Sequence, residues 1–141
     1  MAKTIHSKKM DDLAFGFIQE EKVLPILKDY FKNDNIEKTK IKNDVFDYTC
    51  DGIKIELKSR RINHNKYGSL IFGKNKYDKG LEYISNNEKV YFIFNCLDGI
   101  FLWEQNLQQS PHFAKGGRFD RGRPEVQELA HIPIDWLSKI H

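Results

Sequence analysis

Residues 46–58 read FDYTCDGIKIELK, two short β-prone runs on either side of Asp51-Gly52. An Asp-Gly pair tolerates the positive φ angles of a two-residue turn, so this stretch predicts a β-hairpin in which Asp47 faces Glu56. Side chains alternate between the two faces of a strand. The face expected to join the core carries Phe46, Tyr48, Cys50, Ile53, Ile55 and Leu57.

The opposite face of the hairpin is polar, with Asp47, Thr49, Lys54, Glu56 and Lys58. Directly opposed side chains have Cβ atoms about 4.5–5.5 Å apart, and like charges placed there destabilise the pair. A divalent cation between the two carboxylates would explain them, since Mg²⁺ takes hard oxygen ligands. Lys58 follows on the same face, where an ammonium can orient an attacking water or neutralise a phosphate. A solvated strand face with alternating charges is the other interpretation.

An acidic residue, a hairpin and then Glu-x-Lys on an apolar strand resemble the PD-(D/E)XK nuclease superfamily. Its members include many restriction endonucleases, archaeal Holliday-junction resolvases and phage recombination nucleases. The matching positions are Asp47, Glu56 and Lys58, while Phe46 stands where the pattern has a proline that is often missing. The resemblance implies that Asp47, Glu56 and the backbone carbonyl of Leu57 hold Mg²⁺, with Mn²⁺ as a substitute. It implies that Lys58 positions the nucleophilic water or stabilises the pentavalent phosphate.

The segment from Asp12 to about Lys32 has apolar residues at spacings of three and four, which predicts a helix with a kink or break at Pro25. Glu20 falls within the apolar stripe, where a carboxylate is costly unless something pairs with it. Because many superfamily members place a first-helix glutamate beside the metal, the resemblance makes Glu20 a third acidic group, binding directly or through water. Glu21 is the alternative if the register differs by one, and a Glu20 side chain that snorkels from the stripe edge is the other interpretation.

Basic residues near this hairpin are candidate DNA contacts. Arg60 and Arg61 follow it directly, where they could grip phosphates or only solubilise the strand end. Lys74 and Lys76 begin a predicted helix, whose N-terminus favours anions.

The segment 105–124 is rich in turn-forming residues and predicts a mobile basic loop. It carries Arg118, Arg121 and Arg123 around Phe119. Arginines mixed with an aromatic suit phosphate contact and stacking on an unpaired base, but a surface loop without a ligand has the same composition.

The remaining elements complete an α/β pattern. We expect a short edge strand near 36–41, strands at 69–73, 89–97, 100–104 and 128–133, a helix at 74–85 and a short closing helix at 134–140. The run 89–97 is nearly continuously apolar, which indicates a central strand covered on both faces. With the resemblance, this order implies a restriction-endonuclease-like αβββαβ core with a mixed central sheet flanked by helices, followed by C-terminal strands and a short helix.

The composition favours one soluble domain over residues 1–141, with 40% hydrophobic and 30% charged residues. Two cysteines form neither a disulfide framework nor a zinc pattern, which favours a reducing compartment. The first ten residues lack the apolar stretch of a signal peptide, and no run approaches the roughly 20 apolar residues of a membrane span. We therefore expect a cytoplasmic protein without a membrane partner, in the host cytoplasm if the source is viral.

The expected function is that of a Mg²⁺-dependent endodeoxyribonuclease whose partner is DNA. The resemblance implies a homodimer, as is common in the superfamily. The enzyme would be either a structure-selective enzyme of recombination and repair, such as a Holliday-junction resolvase, or a phage or mobile-element endonuclease. The alternative from another class is a nucleic-acid-binding module that has kept the fold and lost catalysis. RNA stays open as a substrate, because no sequence feature reads a 2′-hydroxyl.

Overall fold

A computed structural model describes residues 5–40, 46–118 and 125–141, with side chains over 10–40, 46–116 and 126–141. The elements in chain order are α1 (Ile5–Phe31), β1 (Glu37–Lys38), β2 (Tyr48–Cys50), β3 (Ile53–Ser59), β4 (Ser69–Gly73), α2 (Lys74–Ser85), β5 (Lys89–Cys96), β6 (Gly99–Glu104), β7 (His112–Arg118), β8 (Glu125–Pro133), a 3-10 turn (Ile134–Trp136) and β9 (Ser138–Lys139).

The β2–β3 hairpin has the register that the sequence predicts. Tyr48 pairs with Ile55 and Cys50 with Ile53, around a turn in which Gly52 has a φ of 77°. Such a φ is strained for a residue with a Cβ, so the glycine permits the tight turn. The hairpin prediction is therefore confirmed.

Six strands form the central sheet, in the order β1-β2-β3-β5-β6-β9. It is mixed, as expected, because β3 and β5 are parallel whereas the other neighbours are antiparallel. The central strand β5 buries Phe92 in one core cluster and Ile93 in the other. This confirms that the apolar run 89–97 is a strand covered on both faces.

The first helix covers one face of this sheet. Val23 and Leu27 of α1 are buried in one cluster with Tyr48, Ile55 and Ile93. The helix begins earlier than predicted and continues through Pro25, so the expectation of a break is wrong. Proline removes one backbone hydrogen bond, and the buried side chains on either side of Pro25 favour the helix through packing.

The other face packs against α2 and a second sheet. That sheet has three strands in the order β4-β8-β7. Phe72 of β4 stacks on Phe92 of the central sheet with ring centroids 4.0 Å apart, and Ile132 of β8 is buried in the same cluster. The predicted strand 69–73 is present, but it lies outside the central sheet. The α/β character is confirmed, and the expected αβββαβ order does not describe one continuous sheet here.

Phe46 does not lie on the face that strict alternation predicts. Its ring packs against Phe92 and Tyr83, with centroids 5.5 Å and 5.4 Å away, in the cluster opposite to that of Tyr48. The backbone bends at residues 46 and 47 and becomes a strand only at Tyr48. Alternation holds only within a strand, so the prediction is wrong for Phe46.

Two predictions for the C-terminal third are also wrong. The segment 105–124, predicted as a loop, contains β7, which pairs with β8 along its whole length. The closing helix predicted at 134–140 is only the 3-10 turn, followed by β9 on the edge of the central sheet. Trp136 of that turn stacks on Trp103, with centroids 5.8 Å apart. Tertiary packing decides both segments, against their local sequence preference.

Two expectations from composition can be compared with the structure. Cys50 and Cys96 are both free thiols, and burial raises the pKa of Cys96 to about 11. Among the described residues, no helix is both long and apolar enough to cross a membrane.

Two helical glycines predict opposite effects of the same substitution. A Cβ at Gly80 of α2 would lie 2.8 Å from Cδ of the buried Gln105. Nε2 of Gln105 donates a hydrogen bond to the Tyr77 carbonyl. A Cβ at Gly16 of α1 would meet nothing within 4 Å. We expect Gly80→Ala to lower the free energy of unfolding by about 1–3 kcal/mol, because Gln105 must leave its hydrogen bond. Gly16→Ala should raise it by about 0.5–1 kcal/mol through helix propensity. Urea unfolding of both variants measures this, and a shift in the same direction for both would contradict the packing described for Gly80.

Candidate metal centre

The structure brings Asp47 and Glu56 together as the hairpin register requires. Asp47 Oδ2 accepts a hydrogen bond from the backbone N–H of Leu57 at 2.8 Å, which fixes the Asp47 carboxyl group beside β3. The Asp47 and Glu56 carboxyl groups lie close enough to interact, and Asp47 raises the pKa of Glu56. Asp47 lies in the bend directly before β2, with its carboxyl group beside that of Glu56.

Glu56 is the most unusual side chain of this cluster, because it is a carboxyl group with only 2% of its surface exposed. Its Oε2 lies 3.1 Å from Lys58 Nζ and 3.5 Å from Lys76 Nζ. Its Oε1 has no hydrogen-bond partner among the residues that the structure describes. Leaving a buried oxygen without a partner costs about 1–3 kcal/mol, so this atom is poised to accept a ligand.

Burial raises the pKa of Glu56 to about 8. Lys58 and Lys76 lower this pKa and Asp47 raises it, but removal from water is the largest effect. A divalent cation binds the ionised carboxylate and so displaces the proton.

The donor set fits a hard divalent cation. Two neighbouring carboxyl groups, one with a buried oxygen that no described residue partners, match the one or two carboxylates that Mg²⁺ usually takes beside waters and substrate phosphate. No cluster of three or more His, Cys, Asp or Glu side chains in the described ranges has metal-ligand geometry. The fit therefore rests on Asp47 and Glu56, with Leu57 at the wall of the adjacent cavity.

Glu20, rather than Glu21, faces the acidic pair. The carboxyl group of Glu20 contacts that of Asp47, and burial, followed by Asp47, raises the pKa of Glu20. Lys38 Nζ lies 3.3 Å from Glu20 Oε2 and 2.9 Å from Glu21 Oε1, and Glu21 is the more exposed of the two. The Tyr48 hydroxyl donates to the Glu20 backbone carbonyl at 2.8 Å, which ties α1 to β2 at this point.

A cavity of about 380 Å³ opens beside these groups. Gly16 and Glu20 of α1 form one wall, and Leu57 and Lys58 of β3 form the other. Arg61 also lines it, and its guanidinium lies 3.9 Å from the centre of the Phe15 ring. The cavity is thus lined by both acidic and basic side chains.

The candidate DNA contacts differ in how strongly the rest of the protein holds their side chains. Arg60 is held by the structure, since its guanidinium donates to the Ile71 carbonyl at 3.0 Å, whereas Arg61 is exposed. Lys74 pairs with Asp78 at 2.9 Å. Lys76, predicted as a phosphate contact at the start of α2, lies 3.5 Å from Glu56 Oε2 and so reaches the metal centre.

The DNA contacts predicted for the arginines of segment 105–124 stay predictions. Arg121 and Arg123 lie outside the described residues, and only the backbone of Arg118 is described, as the last residue of β7.

Lys38 belongs to this centre, although its sequence pattern does not predict it. Its ammonium bridges Glu20 and Glu21 and lies 3.9 Å from the centre of the Phe17 ring. The signal in the sequence is weak, because Lys38 belongs to an alternating run of lysines that is typical of a solvated edge. Its position follows from β1 pairing with β2 beside α1.

The buried Glu56 carboxyl group predicts a pH-dependent stability of the metal-free protein. In the unfolded chain it loses its proton near pH 4.5, whereas in the fold it keeps it until about pH 8. Between these values the folded state binds more protons, so this group lowers the free energy of unfolding as the pH rises. We expect Glu56→Gln to be more stable than the wild type in EDTA, by little near pH 5 and by up to a few kcal/mol above pH 8. Thermal unfolding across this range measures it, and a difference that does not change with pH would contradict the burial of Glu56.

A family model described as "Phage putative PDDEXK endonuclease" matches residues 20–140, which is most of the chain and includes Asp47, Glu56 and Lys58. No curated protein matches the chain, and no solved structure does.

Proposed function

The chain belongs to this phage PDDEXK endonuclease family, and on that basis we propose that it hydrolyses phosphodiester bonds in DNA with a divalent metal ion. One observation carries the proposal. The buried Glu56 carboxyl group lies beside that of Asp47. Its Oε1 has no hydrogen-bond partner among the described residues, and two lysine ammonium groups lie at its Oε2. A protein that only bound DNA would gain nothing from two carboxyl groups facing a phosphate backbone.

Asp47 and Glu56 are the residues that would hold the ion. Leu57 would add its backbone carbonyl, and Glu20 would complete the acidic cluster directly or through water. A bound Mg²⁺, or Mn²⁺ in its place, supplies Lewis-acid chemistry at the phosphate. The hydrogen bond from the Leu57 N–H holds the Asp47 carboxyl group in place before the substrate arrives.

Lys58 is the residue that would act on the reacting phosphate. Its ammonium lines the cavity and lies 3.1 Å from Glu56, so it is held at the edge of the acidic cluster. From there it can orient the attacking water or stabilise negative charge on the pentavalent phosphate. Lys76 is a second cation on Glu56, and together the two lysines favour the ionised carboxylate that a metal requires.

A cleavage assay tests the proposal and selects the substrate. Supercoiled plasmid, linear duplex, single strand and a four-way junction are incubated with Mg²⁺ or Mn²⁺, with EDTA as the control. We expect metal-dependent cutting. Preference for the junction would identify a resolvase, which would act as a homodimer because two strands must be cut, and cutting of ordinary DNA would identify a general endonuclease. Metal-independent DNA binding without cutting on any substrate would overturn the proposal in favour of an inactive binding module.

A further inference from the structure

A second cavity, which we call the side cavity, lies next to the metal centre and has a volume of about 430 Å³. Its walls are largely apolar and come from the segment after β3 and from β4, with Ile62, Tyr67, Leu70 and Ile71. Two polar groups lie together on the remaining wall, where Ser69 Oγ is 3.2 Å from His131 Nδ1. Its size falls within the roughly 300–1,000 Å³ of small-molecule sites, and an apolar pocket with a few polar groups is typical of them.

Arg60 joins the side cavity to the metal centre, because it lines both cavities. Its guanidinium is fixed between them by hydrogen bonds to the carbonyls of Ile71 and Ser59, at 3.0 Å and 3.3 Å. Arg60 follows Lys58 by two residues, about 7 Å in extended chain. Arg60 thus places a cation between the apolar side cavity and the cavity that Lys58 lines.

Tyr67 gives the side cavity an aromatic ring that is exposed to solvent. It is 60% exposed, and Lys66 Nζ lies 5.6 Å from the centre of its ring. Exposed aromatic rings beside basic residues are the usual platform on which proteins stack single-stranded bases.

We propose that the side cavity binds an unpaired nucleobase of the strand that is cut at the metal centre. The base stacks on Tyr67, its edge faces Ser69 and His131, and its phosphate lies against Arg60. A base inside a duplex cannot enter without leaving the stack, so the substrate class is DNA with single-stranded or unpaired nucleotides. This inference rests on the proposed function, since it concerns the strand that the metal centre would cut.

Binding to two single strands of equal length tests it. One is an oligothymidylate and the other is the same phosphodiester chain without bases, each carrying a fluorophore for anisotropy, and EDTA prevents cutting. The wild type should bind the baseless chain roughly tenfold more weakly, the size expected for the loss of one stacked base. Tyr67→Ala should bind oligothymidylate roughly tenfold more weakly than the wild type does, and should no longer distinguish the two chains. Tyr30→Ala is the matched control, because Tyr30 is also exposed but lies about 15 Å further along α1 than Glu20.

Every outcome decides the inference. If the wild type binds both chains equally, or if Tyr67→Ala weakens binding to both by the same factor, the side cavity does not hold a base. If Tyr30→Ala loses the discrimination as well, the effect does not belong to the side cavity and the inference is also overturned. Failure of the proposed function looks different, because the wild type would then cut no DNA with Mg²⁺ whatever its preference between the two chains.

Discussion

Glu56→Gln should lower the rate of DNA cleavage by about a thousandfold or more, with the protein still folded. Glutamine has nearly the same size and shape, so the buried position stays filled. It cannot carry the negative charge that a divalent ion needs, and such electrostatic contributions to phosphoryl transfer are commonly worth about 10²–10³-fold each. Glu56 would bind the metal and also anchor Lys58 and Lys76. Its replacement should therefore lower the cleavage rate by more than the factor expected for one such contribution. Single-turnover cleavage at saturating Mg²⁺ is the measurement.

Glu88→Gln is the matched control for this variant. Glu88 is another glutamate paired with a lysine, since its Oε1 lies 2.7 Å from Lys54 Nζ, and its side chain is partly buried. Lys54 stands at the other end of β3 from Lys58. Glu88→Gln therefore removes an equivalent ion pair outside the metal centre, and we expect its cleavage rate to stay near that of the wild type. Equal cleavage rates of Glu56→Gln and Glu88→Gln would show that Glu56 takes no part in catalysis.

Lys58→Met is the second substitution with a large expected effect. It keeps the long apolar stem of the side chain but removes the ammonium that would act on the phosphate. We expect the maximal cleavage rate to fall by about 10²–10³-fold, whereas the KM for DNA changes little, because one phosphate contact among several contributes little to binding. Mn²⁺ should still bind, since both carboxyl groups remain. Rates over a range of DNA concentrations and a calorimetric Mn²⁺ titration separate these effects.

Lys54→Met controls for the loss of a lysine from the same strand. Lys54 and Lys58 both belong to β3, but Lys54 pairs with Glu88 instead of Glu56. Its replacement should leave the cleavage rate close to that of the wild type. If Lys58→Met raised only the KM for DNA, Lys58 would be a phosphate contact and would not stabilise the reacting phosphate.

The hairpin and the acidic pair could be predicted because both depend on local sequence. Asp51-Gly52 determines the turn, the turn determines the register, and the register places Asp47 opposite Glu56. Glu20 could be singled out from local sequence as well, because a carboxylate inside an apolar helical stripe indicates an unusual partner.

The rest depends on contacts between residues far apart in sequence. Lys76 reaches Glu56 only because α2 packs against β5, the neighbour of β3 in the sheet, and Lys38 reaches Glu20 only because β1 lies against α1. The glycines of β7 resemble a loop, yet the strand forms because it pairs with β8. No periodicity within a single segment reports such pairings, and the side cavity likewise exists only where β4 and β8 meet the end of β3.

The measurement that tests the metal centre most directly is the position of Mn²⁺ in crystals of the wild-type protein. An anomalous difference map locates the ion independently of any activity. The account predicts a peak in contact with the carboxyl groups of both Asp47 and Glu56, and no peak there in Glu56→Gln crystals. A well-occupied Mn²⁺ elsewhere, with none at Asp47 and Glu56 in a protein that cuts DNA, would contradict it.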